Sequence, residues 1–150
     1  MFKKATYPMA LLLIVFVSIA CKSKKNTDLT QSPPPASLST IPITVSSEAK
    51  GSDAFEIGKM RVNGDTLFMD VTYSGGCKEH IFSGRHDGNI MKSRPPQLNL
   101  FIEHQANGDG CRELIRKTLA FDLTNCRSGK TGSIVLIVNG DRPNKITYTY

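Results

Sequence analysis

Residues 66–73 read Thr66-Leu67-Phe68-Met69-Asp70-Val71-Thr72-Tyr73, and their pattern decides the fold. Leu67, Met69, Val71 and Tyr73 fall on one side of an extended chain, with Phe68, Asp70 and Thr72 on the other. That period of two is the mark of a strand with one buried face. Asn63-Gly64-Asp65 precedes the strand and supplies a tight turn, because Asn and Gly both tolerate positive φ. Phe55 to Val62 then reads as the partner strand of a hairpin, and Ser74-Gly75-Gly76 ends the second arm.

The same alternation continues downstream. His80 to Arg85 predicts a short strand, and Asp87-Gly88-Asn89 opens a longer loop that runs through Arg94-Pro95-Pro96. Gln97 to His104 places Leu98, Leu100 and Ile102 on one face. Asn107-Gly108-Asp109-Gly110 turns the chain, and Cys111 to Arg116 reads as one helical turn capped by Asp109. Lys117 to Leu123 returns to strand, with Leu119, Phe121 and Leu123 inward. Ser133 to Val138 is a nearly continuous apolar run, as in a strand buried on both faces, and Lys145 to Tyr150 is the last strand. About seven strands in roughly a hundred residues fit an antiparallel, immunoglobulin-like β-sandwich; a small β-barrel is the alternative. Asn-Gly-Asp recurs at 63–65, 107–109 and 139–141, but the intervals differ, so it reads as turn chemistry rather than a repeat.

Upstream of the hairpin the composition changes. Lys22 to Ser52 holds Pro33-Pro34-Pro35, Pro42 and many Ser and Thr without an apolar period, which predicts a flexible tether. Ile41 to Val45 adds at most an edge strand. Before the tether, Phe2-Lys3-Lys4 forms a basic start, Met9 to Val17 an apolar stretch, and Ser18-Ile19-Ala20 a small-residue site ahead of Cys21. A helix over residues 8–20 is only about 20 Å long, against the ~30 Å of hydrocarbon that a span must cross.

Ser18-Ile19-Ala20-Cys21 resembles the lipobox of bacterial lipoprotein signals, although Ser18 stands where that family usually has Leu. The resemblance implies cleavage before Cys21 and a diacylglyceryl (palmitate-type) modification of its thiol. An ordinary signal-peptidase site would cut the same bond. The expected organisation is a signal peptide at 1–20, a lipid-anchored tether at 21–52 and a β-domain at 53–150. The membrane is then a partner through the lipid on Cys21, with the domain outside the cytoplasm on the cell membrane or outer membrane.

The formal charge of +6 and isoelectric point near 9.3 raise the question of nucleic acid. Much of that charge lies in the leader and just after Cys21. From Gly51 onward thirteen Lys and Arg face eleven Asp and Glu, both signs interspersed, with no basic stripe interleaved with aromatics. Nucleic-acid binding is not expected.

With Cys21 lipidated, three cysteines remain, and outside the cytoplasm thiols tend to pair. Cys77 and Cys111 both follow glycine-rich strand ends and are the favoured disulfide; Cys126, in the polar run Thr124 to Gly129, is expected to be exposed and free. The competing reading is a zinc-type site in which Cys77, His80, His104 and Cys111 supply two thiolates and two imidazoles. His86 is nearby in sequence, but there is no second closely spaced ligand pair. Catalytic chemistry has thinner support. Ser74 near His80 lacks a nucleophile elbow, and a Cys77–His80 dyad rests on spacing alone. Glu79 and Glu103 each precede a His, but neighbouring strand positions point to opposite faces. The loop from Asn107 looks like part of a calcium loop with Arg116 where the acidic ligand belongs. No motif calls for a cofactor.

Tyr73-Ser74-Gly75-Gly76-Cys77-Lys78-Glu79-His80, with Thr118 to Leu123, is similar to segments of small lipoproteins of Bacteroidota-type bacteria that carry no described activity. The resemblance spans residues 67–123 and implies an envelope location. Asp65-Thr66-Leu67 also resembles the O-glycan acceptor of that group, or else is a plain hairpin turn. The expected function is a lipid-anchored envelope protein with a non-catalytic binding or structural domain, and the alternative is extracytoplasmic metal binding.

Overall fold

A computed structural model describes residues 38–150. The leader, Cys21 and the first part of the expected tether lie outside the described residues. Nine strands follow in chain order: β1 (Ile41–Val45), β2 (Glu56–Asn63), β3 (Thr66–Gly75), β4 (Ile81–His86), β5 (Ile90–Met91), β6 (Gln97–Gln105), β7 (Glu113–Asp122), β8 (Ser133–Val138) and β9 (Lys145–Thr149). A single 3-10 turn at Thr124–Cys126 is the one helical element among the described residues.

The class is all-β, as the alternation predicts. The strands join into one sheet in the order β2-β3-β7-β1-β4-β6-β8-β9, with β5 added to β6. The end strands β2 and β9 approach each other without pairing, so the sheet is a nearly closed barrel. Side chains bridge that seam. Asp65, at the β2–β3 turn, accepts from the Tyr148 hydroxyl of β9 at 2.6 Å and from Arg127 at 2.5 Å. The barrel alternative therefore stands in place of the two-sheet sandwich.

β1 is the reason. It lies between β7 and β4 and runs parallel to both, pairing Ile41 with Phe121 and Ile43 with Gly84. A strand expected at most on an edge, within a flexible tether, is an internal stave, and Ile43 is fully buried. Its reach into the wall needs a residue without a side chain opposite it: a Cβ on Gly84 would stand 3.0 Å from Ile43 Cγ1. The following segment is also fastened. The Lys50 N–H donates to Glu103, the Ser52 hydroxyl accepts from the His104 N–H, and Asp53 exchanges bonds with His104 and Ala106. Residues 41–52, which the composition places in the flexible tether, are thus part of the folded β-domain. The sheet is also mixed rather than antiparallel, since β6 and β8 are parallel as well.

The decisive hairpin forms as read. β3 buries Leu67, Met69 and Val71 and pairs with β7 over ten residues. That ladder overrides the helical preference of Arg112-Glu113-Leu114: no helical turn forms at Cys111 to Arg116, and Ile115 and Arg116 face Tyr73 and Thr72 as strand. Leu98, Leu100, Phe121, Ile134 and Leu136 complete the interior, each contributing about 1.5–3 kcal/mol by burial. In β8 the inward residues are Ile134, Leu136 and Val138, and Val135 is only half-buried, so the two-faced burial expected there is incomplete. Asn107, Asn139 and their following glycines take positive φ, as Asn-Gly turns require.

Candidate functional site

The antiparallel pairings bring two loops to one end of the barrel. Gly75 faces Glu113 across β3 and β7, and Ile81 faces Gln105 across β4 and β6. The segment 76–80 and the segment 106–112 therefore meet. Cys77 and Cys111 are joined by a disulfide with a Cα–Cα distance of 5.9 Å, inside the ~4.4–6.8 Å a bridge requires. The favoured pairing is the one that forms.

Asp109 sits beneath the bridge with its carboxylate shielded from solvent. One oxygen, Oδ1, accepts from the Cys111 N–H at 2.9 Å. The other, Oδ2, accepts from the Cys77 and Lys78 N–H groups at 2.8 and 2.9 Å and faces His80 Nε2 at 3.2 Å. The Cys111 N–H leads this stabilisation, and with Lys78, Cys77 and His80 it outweighs the opposing effect of burial. The carboxyl is held well below the usual carboxylate range. Lys78 Nζ donates to the carbonyls of Asn107 and Gly108, lacing the loops a second time.

His80 continues inward. Its Nδ1 lies 2.8 Å from Nε2 of His104, which projects from β6 opposite Phe82. An ionised Asp109 accepts, so His80 Nε2 donates to it. His104 is depressed below its ordinary value of 6.5, first by burial and then by His80, while the carbonyls of Asp53 and Ala54 pull weakly the other way. The donor in the contact between the two rings depends on their tautomers, and among the described residues His104 Nδ1 is buried with no partner in hydrogen-bonding geometry. Aromatic rings close the pair in: Tyr73 stacks on His80 at 4.6 Å, Phe82 on His104 at 4.5 Å, and Phe55 meets His104 edge-on. Gly75 is required here, since a Cβ would lie 2.4 Å from His80 Nε2.

This arrangement corrects the zinc-type set. Cys77 and Cys111 are bonded to each other, and His80 and His104 face each other directly, so the four do not converge on one point. The dyads also dissolve: Cys77 is oxidised, and the Ser74 hydroxyl donates to the Cys111 carbonyl. Cys126 is buried, contrary to its expected exposure, and burial pushes its thiol up to about 12, so it is not nucleophilic at neutral pH. Its turn packs under His86, whose Nε2 donates to the Asn125 carbonyl while Nδ1 accepts from the Gly88 N–H. Glu103 and His104 are both buried on β6; Glu103 pairs with Arg85 at 2.7 Å on the other face of the strand. Burial opposes its ionisation, yet the bonds from Arg85 and the Lys50 N–H hold the carboxyl below its usual range.

Asp109, Tyr73 and Phe55 were not singled out as members of this cluster from sequence. Gly108-Asp109-Gly110 carried one signal, because a short carboxylate between glycines is suited to collecting backbone N–H groups. A hollow of about 230 Å³ is lined by Phe55, Tyr73, Ser74 and Leu114, and Leu114 is 60% exposed.

No protein-family model matches the chain, and no curated protein matches its sequence. Solved structures do. A NigD-like immunity protein from Bacteroides caccae is similar with a TM-score of 0.57 at 19% identity, over 74% of this chain and 59% of that one. A protein of unknown function from Bacteroides vulgatus gives a TM-score of 0.48 at 16% identity, over 74% of this chain and 55% of that one. The likeness is one of fold. The chain spans less than two thirds of the length of either protein.

Proposed function

We propose that this chain is a lipid-anchored cell-envelope protein whose barrel is a non-catalytic binding module. The observation that carries the reading is the stapled rim. Cys77–Cys111 belongs in an oxidising compartment, which agrees with export and with the lipobox resemblance at Cys21. The same rim presents Leu114 beside the Phe55 hollow on a frame held rigid by the disulfide and by Asp109. An apolar side chain exposed on a rigid frame is suited to recognition at low entropic cost. The Bacteroides caccae protein of similar fold is described as an immunity protein, and a protein partner in the envelope is the corresponding reading here.

The test has two arms. Cell fractionation of the native chain and of Cys21→Ser should place the first in the membrane and the second in the soluble envelope fraction. A photo-reactive residue at 114 should give a discrete crosslinked species in intact cells, whereas one at exposed Lys130, away from the stapled loops, should not. Equal partition of both chains, or no adduct specific to position 114, overturns the reading.

A further inference from the structure

Among the described residues, Cys77, Cys111 and Asp109 place their two sulfurs and a carboxylate oxygen within 4.8 Å of one another. We infer that, once the disulfide is reduced, these three residues form a zinc-type metal site with one open position. The ligand set differs from one built on the histidines.

The geometry is already assembled. In a tetrahedral zinc site two thiolates lie about 2.3 Å from the metal, so their sulfurs need only separate to non-bonded contact. A Cα–Cα distance of 5.9 Å permits this without moving the strands, because both cysteines stand on loops and Cys77 is exposed. Asp109 supplies the third donor. Among the described residues its Oδ2 accepts three hydrogen bonds, while Oδ1 accepts one, from the Cys111 N–H, and has a lone pair to spare. His80 serves as a positioning residue, its Nε2 holding the carboxylate through Oδ2 at 3.2 Å, as outer-shell groups do in metal sites. The Lys78 ammonium, bonded to the carbonyls of Asn107 and Gly108, offsets part of the negative charge that two thiolates and a carboxylate bring together.

The reaction balances with a dithiol reductant. The dithiol delivers two electrons and two protons to the Cys77–Cys111 bond and leaves as its own disulfide, and both cysteines become thiols. A divalent zinc-type ion then displaces the two thiol protons to solvent as it binds. The exposed bridge admits such a reductant, and the barrel keeps the donors near one another in both redox states.

The full chain, reduced and then freed of reductant under anaerobic conditions, should be titrated with cobalt(II). The expected result is one cobalt per chain with thiolate-to-cobalt charge-transfer absorption, displaced by zinc, and none in the oxidised chain. Asp109→Asn should weaken cobalt binding about tenfold or more, Cys111→Ser should abolish the charge-transfer band, and Cys126→Ala should leave it unchanged. Circular dichroism run alongside separates a folded site from a loose chelate. Absence of the band in the reduced folded chain overturns the inference. So does a band in urea-unfolded reduced chain of the same affinity, or no effect of Asp109→Asn.

Discussion

His104 shows how one buried group links the rim to stability. Its neutral form is favoured in the folded state, so the folded value lies below 6.5 while the unfolded chain titrates near that value. Between the two, the unfolded chain binds a proton that the folded chain refuses. The contribution of His104 is therefore fully present above 6.5 and is lost as pH falls through the folded value. The urea midpoint should decline from pH 7.5 to pH 5, and His104→Phe should flatten that decline. A midpoint of the native chain that does not move over this range contradicts the lowered proton affinity of folded His104. The cysteines make a second case. Cys77→Ser and Cys111→Ser should each cost about 3–4 kcal/mol from a loop of 34 residues, and the double variant should cost little more than either. Cys126→Ser, which puts a hydroxyl into a dry site, should cost roughly 1–3 kcal/mol in chemical denaturation. The polar neighbours of Cys126 predict exposure, but Asn125 and Arg127 point to partners of their own, and the thiol between them turns inward.

Among the elements, β1 matters most. A chain beginning at Gly51 lacks the stave between β7 and β4 and should fail to fold, while one beginning at Leu38 should melt like the mature protein. Ile43→Ala should cost about 2–5 kcal/mol, the range for deleting a fully buried aliphatic side chain. A well-folded chain starting at Gly51, seen by dispersed amide NMR signals, would return β1 to the tether. β3 and β6 were legible because each has one face against the core, so their alternation is long and regular. β1 was not, because Pro42, Thr44 and the surrounding serines resemble a linker and its two parallel partners are about forty and eighty residues away in sequence. The first half of β7 was hidden by local helix preference, and β5 is only two residues long.

For the whole molecule, barrel against sandwich turns on closure. Strand count and turn chemistry are common to both, and nothing local to any strand reports that β1 joins the halves or that Tyr148 reaches Asp65 across the seam. The candidate site was legible in its sulfur pair and not in its carboxylate, because Asp109 acts on backbone N–H groups that no residue pattern displays. Export, anchoring and the staple converge on one quantity, the intact mass of the protein taken from its native envelope without reduction. The expected mass is that of residues 21–150 plus a diacylglyceryl group on Cys21, less the two hydrogens of a Cys77–Cys111 bond. An uncut chain, or residues 21–150 with an unmodified Cys21 and three free thiols, would contradict it.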